Sequence, residues 1–319
     1  MSPESYRESA FLDHRTIPAE AGEARVPVSL LMDAYEVQRP RHTAPMFIAH
    51  TALCGSTLLT RCLDIPGACM PYREPWLFHN LSGLWRLGLQ GKLRDRIGRR
   101  QPPILDLAIA LAARTYDRDA KAVVKLSDSC TSLLPSILDR SPGSRILLLY
   151  HALPRFLVAM LRFPYRRQFV HNMRIRAEAD LRAAGRPDVI PDGDLSDGRC
   201  AALVWLGLMY PYLRILAAEP GRTRSLDAAA FLAAPGETLG RLDAFFDLGI
   251  GAERLRQAIE HGAMAKDAKD AGKGFDEAGR QADLESAAKE FGDEIDDAVS
   301  WAKRVSAIEE IPGELPNPL

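Results

Sequence analysis

Apolar residues in this chain come in short runs set between polar stretches that contain glycine or proline. The first clear run, Met46-Phe47-Ile48-Ala49-His50, meets Gly55 five residues later, and Ser56-Thr57-Leu58-Leu59 then leads to further apolar positions at Cys62 and Leu63. An apolar run, a glycine turn and apolar positions three or four apart predict strand, turn and helix. Further strands are predicted at Ala68 to Tyr72, Ala122 to Leu126, Arg145 to Tyr150 and, less apolar, Thr223 to Leu226. Helical spacing lies between them, at Ile104, Leu107, Ala108 and Leu111, across Ser132 to Leu138 and Cys200 to Ala217, and at Leu239, Leu242, Phe245 and Phe246. Short apolar strands that alternate with helices predict an α/β fold: a parallel sheet covered on both faces, three layers α/β/α, with right-handed crossovers.

The two ends read differently. Residues 1–40 mix charges with Pro18, Pro27 and Pro40 and hold one short apolar run, Val26 to Met32, so they read as an N-terminal arm lying on the domain. The domain spans residues 41–260. From residue 261 the composition changes, and Lys266, Asp267, Lys269, Asp270, Gly272, Lys273 and Gly274 predict a mobile loop. One long C-terminal helix follows, with Leu284, Ala288, Phe291, Ile295, Ala298, Ala302 and Val305 in an apolar stripe. That C-terminal helical extension, within 261–319, packs back on the domain or meets a second copy in a homodimer.

Composition narrows the function classes. With 319 residues, 47% hydrophobic and 26% charged, the chain is long enough for a full core and too apolar for disorder. A net charge of -1 and a pI near 6.7 argue against a chain that binds nucleic acid over its whole surface. Five cysteines, an odd number without C-x-x-C, indicate neither disulfides nor a zinc site, and no metal is expected; a reducing, cytoplasmic setting fits. The charges at Glu4, Arg7, Glu8, Asp13, Arg15 and Glu20 leave no signal-peptide core. The most apolar stretch, Cys200 to Leu213, falls short of the roughly 20 residues a membrane span needs, so it reads as a buried helix and no span is expected.

The turn after the first strand carries the clearest chemistry. A glycine there lets backbone N–H groups converge, the helix adds the positive end of its dipole, and hydroxyls stand next in sequence, so Cys54, Gly55, Ser56 and Thr57 form a candidate anion site. Ser or Thr after glycine also serves as a plain helix cap. A nucleotide P-loop, G-x-x-x-x-G-K-[ST], would need glycine at position 50 and lysine at position 56, where His50 and Ser56 stand. The best strand, Arg145 to Tyr150, runs into His151 instead of ending in a Walker-B aspartate.

Without that lysine, Gly55-Ser56-Thr57-Leu58-Leu59 resembles the 5′-phosphosulfate-binding loop of the sulfotransferase superfamily. Glu74-Pro75-Trp76 is similar to the family's Glu-Pro element, and Arg145 to Tyr150 followed by His151 to Met160 occupies the place of its 3′-phosphate segment. Ser225-Leu226-Asp227, Pro235 and Thr238-Leu239, leading to Phe245-Phe246-Asp247-Leu248-Gly249, resemble its last strand and helix. The resemblance spans about residues 45–250. It implies a bacterial-type, P-loop NTPase-like α/β domain, with 3′-phosphoadenosine 5′-phosphosulfate as donor. The acceptor would be a hydroxyl or amine of a small molecule or glycan.

Three family positions differ: Leu53 stands where a Lys or Arg precedes the loop glycine, and His151 and Ala159 replace the Arg and Ser of the 3′-phosphate segment. Arg155, four residues after His151, and Arg61, four after Thr57, are replacement cations by helical spacing. Two other readings stay open. One is a non-catalytic binding or regulatory protein on a degenerate sulfotransferase fold; the other is a small-molecule kinase with a nonstandard P-loop.

Sulfuryl transfer asks a protein to align the reacting groups, stabilise oxygen charge and supply a base. Glu74, at the carboxyl end of a predicted strand, is the first candidate base and His79 the second; Glu74 also fits a first-turn or capping carboxylate before Pro75. Lys125, inside an apolar run, must find an anion: a phosphate or sulfate, or else Asp128 or Asp106. Residues 141–177 hold seven arginines and no acid, interleaved with Phe156, Phe163, Tyr165 and Phe169, while residues 281–319 hold ten acids and three bases. Blocks of +7 and -7 predict internal pairing between the arginines and the C-terminal helix, ahead of an anionic acceptor, a lipid headgroup or RNA.

Overall fold

Each of the five predicted strands forms. The computed structural model describes residues 6–7, 9, 11–12, 26–38, 43–97, 104–260, 277–306 and 314–319. The strands β1 (Met46–His50), β2 (Cys69–Arg73), β3 (Lys121–Lys125), β4 (Ile146–Tyr150) and β5 (Thr223–Asp227) form a parallel sheet in the order β2-β3-β1-β4-β5, flanked by helices. The α/β expectation therefore holds. All residues of β1 and β4 are buried, which is why those runs show no alternation. Pairing sets the strand ends more finely than apolarity does. Arg73, outside the predicted strand, is the last residue of β2 and stands in register with Lys125 at the end of β3.

The helices depart further from expectation, and Gln90–Ile97, Pro164–Ala183 and Ala252–Ala258 form where none was predicted. Within the N-terminal arm a helix forms at Val28–Gln38, around the run Val26 to Met32. The helix predicted at Ser132 to Leu138 begins as a 3-10 turn over Asp128–Leu133, and Leu134–Arg140 follows as α-helix because Pro135 suits its first turn. The single long C-terminal helix is two, Glu277–Glu290 and Gly292–Ser306, with Phe291 between them. That interruption shifts the stripe, so Ala287 is buried and Ala288 exposed. The predicted loop around Lys266 and Lys273 lies outside the described residues.

The chain divides into two compact units, one from residues 1–49, 56–147 and 234–274, the other from 50–55, 148–233 and 275–319. In the second unit the central element is Asp197–Ala218, where Ser196 Oγ caps the first turn by accepting from Arg199 N–H at 3.3 Å. At 22 residues it exceeds the 14-residue run read from the sequence; by length and composition it suffices to cross a membrane, but most of it is buried inside the fold. Gly207 lets this helix approach Pro164–Ala183 closely, since a Cβ there would sit 2.8 Å from the Cα of Ala177.

Pairing between the arginine block and the C-terminal helix is found at Arg167, which binds Glu294 at 3.0 Å and Asp197 at 3.1 Å and lies over the Phe291 ring. His171 and Arg167 together hold the Asp197 carboxyl below its ordinary range. Other arginines of the block have different partners: Arg174 pairs with Glu178 in its own helix, and Arg162 and Arg166 both lie over the Phe163 ring. All five cysteines are buried free thiols. Burial pushes Cys62 and Cys130 up to about 12 and Cys200 up to about 11, and raises Cys69 further.

Candidate functional site

The loop after β1 is held in an uncommon backbone shape. Ala52, Leu53 and Gly55 have φ of 64°, 56° and 76°. Glycine adopts that region without penalty, whereas each L-residue costs on the order of 1–2 kcal/mol. Two histidines hold the shape. The Ala52 N–H donates to His50 Nδ1 at 3.0 Å, and His151 Nε2 donates to the Leu53 carbonyl at 3.3 Å. The His151 N–H donates to Thr51 Oγ1 at 3.2 Å, while its carbonyl accepts from Trp205 Nε1 at 2.8 Å. His151, expected at a 3′-phosphate, is thus buried and engaged with the loop itself. Cys54 is fully buried with Sγ toward the Leu149 carbonyl.

The loop runs into the helix Ser56–Cys62, which at seven residues is about two turns long. Its dipole is correspondingly slight. The stronger attraction for an anion comes from Lys125 at the end of β3, whose Nζ lies 3.2 Å from Thr57 Oγ1 and is ion-paired with Glu74 Oε1. Glu74 follows β2 with φ 53°, and its N–H donates to the Lys125 carbonyl at 2.7 Å, extending the β2–β3 pairing by one step. So the residues after β1 and β2 and at the end of β3 converge on one ammonium. The Lys125 side chain is 1% exposed and that of Glu74 22%.

These contacts revise the sequence reading at several residues. Lys125 pairs with Glu74; Asp106 pairs with Arg140, and Asp128 accepts from Ser127 Oγ. The capping position of Trp76–Arg86 is Pro75, without a side-chain bond, and the Glu74 carboxylate just before it pairs with Lys125. His79 is half-buried in that helix, hydrogen-bonded through Nδ1 to Ser129 Oγ at 2.9 Å and stacked on Trp76 at 4.8 Å. Arg61, expected to face the loop, lies in the last turn of its helix, where its charge acts on Asp64. Arg155 is exposed in the first turn of Leu153–Leu161. The Ala159 carbonyl instead accepts from Arg166 Nη1 at 2.7 Å.

Two contributors were not found from sequence. Phe11 lies over Lys125, and Arg73 holds the N-terminal segment beside Glu74. Neither carries a motif, because each acts only through strand pairing and the path of the N-terminal segment. Among the described residues no group of three or more His, Cys, Asp or Glu is placed to hold a metal ion.

The chain is similar in structure to sulfotransferases at low sequence identity. Against the sulfotransferase domain from the curacin biosynthetic pathway the identity is 16% and the TM-score 0.47, over 86% of this chain and all of that one. Against sulfotransferase STF9 from Mycobacterium avium the values are 13% and 0.40, over 83% and 80% of the two chains. No family model matches the sequence, and no curated protein does.

Proposed function

We propose that the chain transfers a sulfuryl group from 3′-phosphoadenosine 5′-phosphosulfate to a hydroxyl or amine of a small-molecule or glycan acceptor. The observation that carries this reading is the buried ammonium of Lys125, set between Thr57 Oγ1 and the Glu74 carboxylate. Residues 54–57 and Lys125 fit the phosphosulfate end of the donor by their chemistry: backbone N–H groups, hydroxyls and one desolvated cation. The donor supplies the electrophilic sulfur. Lys125 balances the charge that gathers on the departing phosphate oxygen, and Glu74 takes the proton of the acceptor. A bound anion competes with Glu74 for Lys125, which loosens the carboxylate toward its role as base.

A second reading, a binding protein on a degenerate version of the same fold, is favoured by one observation. His151 is committed to the loop and Ala159 offers no hydroxyl, so the 3′-phosphate is left to Arg155.

Calorimetric titration separates the readings. Adenosine 3′,5′-bisphosphate is expected to bind without metal, more tightly than ATP with Mg²⁺, and Lys125→Met is expected to weaken it about 100-fold, the loss of one charge-assisted contact worth roughly 3 kcal/mol. No heat with the bisphosphate at millimolar concentration removes the sulfonucleotide assignment. Response to ATP with Mg²⁺ alone would favour a kinase. Binding with no transfer to any acceptor tried would favour the binding protein.

A further inference from the structure

The N-terminal segment is tied to the backbone on both sides of the Glu74 turn. Leu12 N–H donates to the Arg73 carbonyl at 2.7 Å, and Trp76 N–H donates to the Leu12 carbonyl at 3.0 Å. Arg73 grips the same segment from inside the fold. Its fully buried guanidinium donates through Nε to the Ser9 carbonyl at 3.0 Å and through Nη2 to the carbonyls of Tyr6 and Arg7, while Nη1 reaches Asp64 at 3.2 Å. The Tyr6 hydroxyl donates to the Pro71 carbonyl, and the Arg73 guanidinium lies 4.9 Å from the Tyr6 ring centroid. Three backbone carbonyls on one buried cation fix this segment far more firmly than surface packing would.

Held in this way, the segment delivers Phe11 to Lys125. The ring centroid is 5.0 Å from Nζ, within the range at which an aromatic face attracts an ammonium. Lys125 thereby has a carboxylate, a hydroxyl and an aromatic face around one buried charge. We propose that Phe11 is a positioning residue for Lys125: the Arg73-anchored segment lies over the Lys125–Glu74 pair, and the ring steers the ammonium toward Thr57 while screening it from water. Its consequence, that the screen limits hydrolysis of a bound phosphosulfate in favour of transfer, rests on the function proposed above. The contact itself does not.

Acylation of lysines in the full chain tests both parts. Wild type, Phe11→Ala, Phe11→Leu and Phe11→Tyr are treated with sulfo-N-hydroxysuccinimide acetate and each lysine is followed by peptide mass spectrometry, with exposed Lys303 as internal reference. Lys125 is expected to react slowly in wild type and about five- to thirtyfold faster in Phe11→Ala, the range corresponding to a desolvated cation–π contact. Phe11→Tyr should restore protection. Phe11→Leu, which keeps an apolar side chain and loses the aromatic face, should fall between; because both Leu and Tyr leave this half-buried position filled, their comparison stands even if the alanine variant folds poorly. Wild-type rates in Phe11→Ala, or equal protection by Leu and Phe, would overturn the positioning role. In the same assay adenosine 3′,5′-bisphosphate should protect Lys125 further. If it does not, while the Phe11 series behaves as described, the sulfonucleotide assignment fails and the role of Phe11 remains.

Discussion

Replacing Glu74 by glutamine is expected to destabilise the protein more than replacing its partner Lys125 by methionine. The asymmetry follows from burial: the lysine side chain is 1% exposed, the glutamate 22%. Glutamine puts a neutral amide where the carboxylate met a buried ammonium, and breaking a buried pair from this side costs roughly 3 kcal/mol. Methionine matches the lysine stem in volume and removes the buried charge, while the remaining carboxylate still meets water. That change should cost about 1 kcal/mol or less. At about 2–4 °C per kcal/mol for a chain of this size, Glu74→Gln should melt some 6–12 °C below wild type and Lys125→Met within a few degrees of it.

The activity effects should run in the other direction for binding. Lys125→Met loses affinity for adenosine 3′,5′-bisphosphate, whereas Glu74→Gln keeps it and loses turnover by about 10²–10⁴, the usual contribution of a positioned base. Equal melting temperatures would show that Lys125 finds another anion. Unchanged turnover in Glu74→Gln would move the base elsewhere, with His79 the next candidate.

Gly207→Ala should lower stability by about 3 kcal/mol, although alanine favours helix by about 1 kcal/mol in isolation. The new Cβ would stand 2.8 Å from both the Cα and the Cβ of Ala177 and 3.0 Å from its carbonyl oxygen. Side chains can turn away from such an approach; a helix backbone cannot. The two helices must move apart, which loosens packing along Pro164–Ala183 and Asp197–Ala218. Ala177→Gly should rescue only part of the loss, because it removes one of the three close atoms. Thermal melts of the two single variants and the double variant measure this, and a stable Gly207→Ala would mean that the helices separate at little cost.

Strand existence was legible in the sequence because buried parallel strands need apolar runs, and the runs at Met46 and Arg145 satisfy that need almost without polar interruption. The loop after β1 and the basic and acidic residues Lys125 and Glu74 were legible too, since their types and positions at strand ends are unusual for a plain core. What the pattern left open was pairing. Whether Lys125 meets Glu74, Asp128 or Asp106 depends on the register of β2 against β3, and register leaves no local trace in the sequence. Likewise the break at Phe291 leaves the apolar stripe nearly intact while turning Ala288 outward. Phe11 lay beyond reach for a different reason: an arm without periodicity gives no indication of which of its residues touches the sheet.

The five buried thiols have a kinetic meaning. A cysteine whose thiol is pushed up to about 12 is ionised to roughly one part in 10⁵ at neutral pH, and only the thiolate attacks disulfides or maleimides. Reaction at Cys62 or Cys130 therefore waits for the surrounding structure to open, so its rate reads the free energy of that opening where the structure recloses quickly. Cys54 sits in the strained loop, Cys69 in β2 and Cys200 in the long central helix, so the native chain already carries separate chemical clocks for the loop, the sheet and the helices.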